Sequence, residues 1–458
     1  MQKLLVLITC FIYITGYSQE HGTGALLDDS IFVNCPRAPA LLSRDLINLP
    51  SRVSLRNYAP TPGDQGTLST CAGWALAYSV RTMVAAIQNG WSKPEIDKNV
   101  FSPSYIYNQI RTQPGCNSGT SIVQGLELLK NEGVLKFTDF SYNCNLEVKD
   151  QYKPLASRYK IKEYRTIAYG NFKNKTIYVK KSLFEKNPVV IAINCPDSFY
   201  NAGDVWKPDS IEYLKDYGGH ALAVIGYDDE KYGGAFEVIN SWGKNWGNNG
   251  FTWIKYPDFN HFCVWAAEEI PPEKQEEENT GLSGAISFKL ISGEPVKLIT
   301  KENYFQTEEP LLSGTRFNLT LSNNEPAYVY AIGSDLTFKC QIIFPFNNNI
   351  NPYLPYKQNN IALPGEGYNF QLDTTLGKTY FLFLYSPVKL DIDSISKNIE
   401  YSNGNFYDRI QNVLGEKLVN KKDINLNLES SGEIHFTSQG GNTNMVALLV
   451  EIIHINKR

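Results

Sequence analysis

The chain has 458 residues, of which 42% are hydrophobic and 20% charged, and its formal net charge at pH 7 is −4. At about 100–200 residues per domain this length makes two or three domains, each with enough apolar material for a core. The mildly acidic balance excludes the basic face of a nucleic-acid-binding protein. Only five histidines are present beside eight cysteines, so any histidine-dependent chemistry has a short list of candidates.

The first element is a leader. Lys3 is followed by the apolar run Leu4 to Ile14 and then by Thr15-Gly16-Tyr17-Ser18. A basic start, a short apolar run and small residues after it predict a signal peptide over residues 1–18. The run is shorter than the roughly 20 residues a membrane span needs, and no later stretch is long and apolar enough to serve as one. The expected product is exported, secreted or periplasmic, into a compartment that permits disulfides. Cys10 leaves with the leader.

Residues 19–47 form a short, loosely patterned segment containing Cys35. Residues 48–270 mix helices and strands. Cys71 to Gln88 is Ala-rich, lacks strand alternation and stops at Asn89-Gly90. It is apolar on all sides, which predicts a buried central helix, with Thr70 as N-cap and Cys71 in the first turn. Thr120 to Asn131 is a second predicted helix, with Ile122, Leu126 and Leu129 on one face. Val189 to Ile193, Ala221 to Ile225 and Ala235 to Ile239 are predicted strands. Pro271-Pro272 and the acidic run behind it make residues 271–280 a linker. Residues 281–458 then alternate short β-branched and aromatic runs with Asn/Gly/Pro turns, as in a sandwich or barrel. One helix is expected there, around Phe406 to Leu418.

Three local patterns carry chemistry. Cys71 at a helix N-terminus meets free N–H groups and the positive end of the dipole, which favour the nucleophilic thiolate. Alone, such a cysteine is more often a core residue. His220, in Gly218-Gly219-His220-Ala221-Leu222, stands at the mouth of an apolar strand. Asn240-Ser241-Trp242-Gly243 follows another strand. An asparagine there can accept Nδ1–H of His220, leave Nε2 to the thiol, and have Trp242 keep water away.

These residues, with Asp64-Gln65-Gly66-Thr67-Leu68-Ser69-Thr70-Cys71, resemble the papain-like cysteine peptidases over residues 48–270. Cys116-Asn117-Ser118-Gly119, Phe140-Ser141-Tyr142 with Cys144, and Asn187-Pro188-Val189 resemble further segments of that family. The resemblance implies an α+β fold: a two-lobed peptidase, one lobe helical and one β, followed by a separate all-β accessory domain. It implies Cys71 as nucleophile, His220 as its ion-pair partner and proton donor, Asn240 as the residue that orients His220, and Gln65 as oxyanion donor. Gly119, Ser118, Gly219 and Trp242 would line the substrate path. The implied partner is a peptide or protein substrate. No metal or cofactor is expected, since no HExxH, paired CxxC, Walker loop or dinucleotide fingerprint occurs.

The family pattern is broken in four places. Ala72-Gly73 separates Cys71 from Trp74. Leu68 stands where the family has a cysteine, which orphans Cys116, and Cys144 lacks its usual partner as well. The resemblance thus implies that these two pair with each other. It leaves Cys35, Cys195, Cys263 and Cys340 with open connectivity and up to three bridges in all. Residues 19–47 are far too short for the family's inhibitory proregion, so activation by its removal is not expected. Ser118 replaces a glycine.

Residues 281–458 resemble a β-rich domain of unknown function (DUF4384) found behind catalytic domains of bacterial exported proteins. That match implies no chemistry, and a surface or protein ligand is the expected partner. The leading expectation for the whole chain is an exported bacterial cysteine endopeptidase. Its rivals are a catalytically silent papain-fold binding protein and a thiol amidase or transpeptidase, because one triad logic serves several acyl transfers.

Overall fold

The computed structural model describes residues 21–41, 46, 48–172, 174–272, 281–439 and 444–456. The expected leader and residues 273–280 of the expected linker lie outside the described residues.

The central helix forms where the Ala-rich run predicts it. It runs as an α-helical turn Cys71–Gly73, a π-helical stretch Trp74–Arg81 and an α-helix Thr82–Asn89. Gly90, left-handed at φ 64°, closes it. Ala75, Leu76, Val80 and Met83 are buried around its circumference. A Cβ on Gly73 would lie 2.4 Å from the Pro103 carbonyl oxygen. Glycine there lets the helix Pro103–Ile110 pack against the first turn. The helix Ile122–Asn131 starts two residues later than expected, because Ser121 rather than an earlier residue caps it by accepting from the Gln124 N–H. Thr120 is left extended, and it matters below.

The second lobe is a seven-stranded sheet. Its strands are β1 (Arg52–Ser54), β2 (Glu163–Tyr169), β3 (Val189–Asn194), β4 (Gly219–Asp228), β5 (Ala235–Ile239), β6 (Phe251–Lys255) and β7 (Cys263–Ile270). The order is β2-β7-β3-β4-β5-β6, with β1 added on β4. Strands β3 and β4 are buried almost throughout, which is why they read as continuous apolar runs rather than alternating ones. All pairs in this sheet are antiparallel.

The C-terminal unit is sheet-rich but not all-β. An eight-stranded and a six-stranded sheet pack face to face. Ala327–Ser334 shows the pleat at work. Val329 and Ala331 point into the core between the sheets, whereas Tyr328, Tyr330 and Ile332 belong to a second core on the outer face. Two helices, Ile392–Tyr401 and Phe406–Leu414, cover that outer face. The second was expected; the first was not.

The unit also packs against the peptidase lobes. Ile270, the last residue of β7, belongs to its outer core. Tyr356 donates its hydroxyl to the buried Glu268 carboxylate at 2.6 Å and accepts from the Asn187 amide at 2.9 Å. Glu268 also pairs with buried Arg165. The two units therefore share one buried polar network.

Candidate active site

Cys71 opens the central helix and His220 is the second residue of β4, and both are 0% exposed. The backbone N–H groups of Ala221, Ala72, Ala25 and Gly24 face the Cys71 sulfur. Ala221 adjoins His220, so the strand carrying the imidazole runs past the thiol. Thr70 holds the N-cap position, but its side chain does not cap; its hydroxyl pairs with that of Tyr142 at 2.7 Å. Burial pushes the Cys71 thiol up to about 11, against the pull of those N–H groups.

Asn240 follows the end of β5 and meets His220 at 2.8 Å through Oδ1. The ring nitrogen involved is Nε2, which reverses the expected orientation. Nδ1 is the buried nitrogen left without a hydrogen-bond partner. The reversal has a local cause. The Ser241 N–H also donates to Asn240 Oδ1, at 2.8 Å, which holds that oxygen at the strand end where Nε2 reaches it. Burial drives the His220 pKa down to about 4, with the Asn240 bond opposing. Trp242 stacks on His220 with centroids 4.5 Å apart and is itself buried among Phe199, Tyr200 and Trp246.

Gln65 is buried and bonded at both ends of its amide. Oε1 accepts from the Ser241 hydroxyl at 2.6 Å, and Nε2 donates to the carbonyls of Leu68 at 2.7 Å and Gly22 at 2.8 Å. The Gln65 N–H adds a backbone bond to Ser241 O at 2.8 Å. The loop before Cys71 and the loop after β5 are thus stapled together.

The cleft between the lobes is occupied by the chain's own residues 21–27. Gly24 and Ala25 donate to the Gly219 carbonyl, each at 3.0 Å. Thr120 donates to Gly24 O at 2.8 Å and accepts from the Leu26 N–H at 3.0 Å. His21 stacks on Trp242 at 5.0 Å, and Trp242 Nε1 donates to Gly22 O at 3.2 Å. Gly22 and Gly24 fit because nothing larger does. A Cβ at either would fall 2.1 Å or 2.7 Å from the backbone oxygens of Leu68 and Ser69. Residues 19–47 are too short for the family's inhibitory proregion, yet part of them lies in the cleft. The signal available in the sequence was the small-residue run Gly22-Thr23-Gly24-Ala25.

Of the expected substrate-lining residues, Gly219 and Trp242 contact this strap. Gly119 lies beneath it, where a Cβ would meet the Leu26 side chain at 2.8 Å, but the backbone that pairs with it is that of Thr120. Ser118 is turned away: its hydroxyl bonds Thr112 and Gln113 within its own loop.

Cys116 and Cys144 are disulfide-bonded, with Cα atoms 5.5 Å apart. Three bridges do not form among the described residues. Cys35, Cys195 and Cys263 are separately buried in the first core, and Cys340 lies against the outer core of the C-terminal unit. Each behaves as a small apolar side chain. The described helices include none long and apolar enough to cross a membrane.

The chain is similar to several known proteins. An uncharacterized peptidase C1-like protein of Acanthamoeba polyphaga mimivirus is 28% identical over 211 residues, 42% of this chain and 63% of that protein. Cathepsin J of Mus musculus is 32% identical over 164 residues, 34% of this chain and 46% of its own length. The chain thus spans about half to two thirds of these relatives. Among solved structures, xylellain, a cysteine protease from Xylella fastidiosa, is 23% identical with a TM-score of 0.46, covering 56% of this chain and 98% of that one. Residues 65–270 match the family described as Papain family cysteine protease, and this stretch is a papain family cysteine protease domain.

Proposed function

We propose that the chain is an exported cysteine endopeptidase that cleaves peptide bonds through Cys71, His220 and Asn240. The observation that carries the reading is the buried His220–Asn240 pair at 2.8 Å, set under Trp242 beside a cysteine at the head of a helix. In this reading His220 Nδ1 takes the proton of the Cys71 thiol as the sulfur attacks the scissile carbonyl carbon and forms a C–S bond. The carbonyl electrons move to oxygen, where Gln65 Nε2 and the Cys71 N–H stabilise the charge. His220 delivers its Nδ1 proton to the amine as the C–N bond breaks, leaving a thioester. Water then attacks, His220 takes its proton, and the acid leaves with Cys71 restored. Asn240 holds Nε2, so only Nδ1 is free to shuttle. The C-terminal unit, which resembles a bacterial accessory domain, takes no part in these steps.

The test is covalent labelling. The protein is nicked in the exposed stretch around Leu26, Asp28 and Asp29, treated with a thiol-reactive epoxide and mapped, with Cys71→Ala in parallel. Label on Cys71 and peptide cleavage lost in Cys71→Ala support the reading. An opened protein that takes no epoxide at Cys71 and cuts no peptide sinks it, and leaves the silent papain fold in its place.

A further inference from the structure

The strap over Cys71 does not end at Leu27. Asp28 caps a short helix, Asp29–Asn34. Behind it, Arg37 forms a parallel bridge to Thr166 of β2 on one side and a parallel bridge to Ile350 of the C-terminal unit on the other. The bonds are complete on both flanks. Thr166 donates to Pro36 O at 2.6 Å, and Ala38 donates to Thr166 O at 3.0 Å. Arg37 donates to Asn349 O at 2.6 Å and accepts from the Asn351 N–H at 2.9 Å. The Arg37 guanidinium lies 4.5 Å from the Tyr169 ring centroid. Leu41 then bridges to Ile361. One residue of the N-terminal segment thus staples the edge of the peptidase sheet to the second unit, ten positions after the cleft.

We propose that the C-terminal domain is the anchor that keeps residues 21–27 seated over Cys71, so that the accessory unit controls access to the site. The inference rests on the peptidase reading. Its physical ground is the weakness of the strap by itself. Each backbone bond gains about as much in water as ordering the residue that makes it costs. Five such bonds over residues 22–26 do not hold an extended peptide. A short tether fixed at Arg37 keeps its effective concentration at the cleft high. The accessory domain, for which sequence offered no chemistry, thereby acquires a regulatory task. Whatever loosens its contact with residues 37–41 frees the strap.

Alkylation of Cys71 by iodoacetamide in the full chain reads access, and epoxide labelling reads activation. Arg37→Pro combined with Ala38→Pro removes the main-chain donors to Asn349 and Thr166 and so weakens the anchor far from the site. Gly24→Ala is the local control, since its Cβ would lie 2.7 Å from Ser69. Both are expected to speed alkylation of Cys71 about tenfold or more, in proportion to the opened population. Alkylation of buried Cys195 and Cys263 should stay slow, which separates opening from unfolding. Acceleration by Gly24→Ala with no change from the anchor pair overturns the proposal, as does fast alkylation of the unaltered chain. Hydrogen exchange of the unaltered chain is a second test that needs no variant. Amides of Gly24, Ala25 and Leu26 should exchange in step with those of Arg37 and Asn351; a strap that exchanges far faster than its anchor overturns the idea. Opened variants whose Cys71 takes iodoacetamide but never epoxide would remove the peptidase reading and leave the anchor standing.

Discussion

The Ser241 hydroxyl donates to Gln65 Oε1 at 2.6 Å, and this bond decides which end of the Gln65 amide faces the cleft. A side-chain amide has two ends of nearly equal shape and opposite hydrogen-bond sense. With Oε1 claimed, Nε2 has to point toward the position now held by Gly22 O. Ser241 is thus a positioning residue for the proposed oxyanion donor. Gln65→Ala should cost about 10²–10³ in kcat. Ser241→Ala should cost less, about tenfold, with KM little changed and with recovery in Ser241→Thr. Steady-state kinetics on the opened enzyme measure both. A Ser241→Ala enzyme that matches the parent removes the positioning role.

The buried imidazole makes folding stability depend on pH. In the folded chain His220 resists protonation until about pH 4, whereas its ordinary value is 6.5. Between those values the unfolded chain binds the extra proton. Stability contributed by this group is therefore full above pH 6.5 and is lost as pH falls toward 4. His220→Gln should flatten that part of the profile. Urea unfolding midpoints across the window measure it, and equal slopes in the two proteins would sink the argument.

Three residues of the proposed reaction were legible from local pattern: Cys71 at the head of a helix, His220 at the head of an apolar strand, and Asn240 at the tail of another; Gln65 came only from the family resemblance. The ring orientation of His220 was not, because it depends on where the Ser241 N–H places an oxygen. The strap was illegible for a different reason. Residues 21–27 have no periodicity, and their partners, Gly66, Thr120 and Gly219, are far away in sequence. The cysteine count misled, since only packing tells a buried thiol from half of a bridge. In the C-terminal unit the strands were legible from β-branched runs. The helix Ile392–Tyr401 was not, because it buries only Ile392, Ser396 and Ile399 and is otherwise polar.

Glu268 gathers the contacts that join the two units. It accepts from Ser182 and Tyr356 and pairs with Arg165, all in a buried setting. Removing one donor leaves a carboxylate oxygen under-bonded away from water. Tyr356→Phe should therefore lower stability by about 1–3 kcal/mol without touching the proposed site. Thermal melts of the full chain measure this, and an unchanged midpoint would show that water replaces the lost hydroxyl.

The bridge between Cys116 and Cys144 ties a loop beside the cleft, with a sequence separation of 28. Closing a loop of that length restricts the unfolded chain by about 3–4 kcal/mol in the chain-entropy account. The bridge also supports the approach to Cys71, because Ser69 donates to Cys116 O at 2.9 Å. Replacing both cysteines by serine should cost stability on that scale. Each single replacement should cost about as much as the pair, since either one opens the same loop. The central helix positions Cys71 independently, so the opened double variant should keep most of its kcat at low temperature. Denaturant midpoints for the three variants measure the coupling. Single variants that each cost about half as much as the double would show the two sulfurs acting as separate packing groups, with no bond between them.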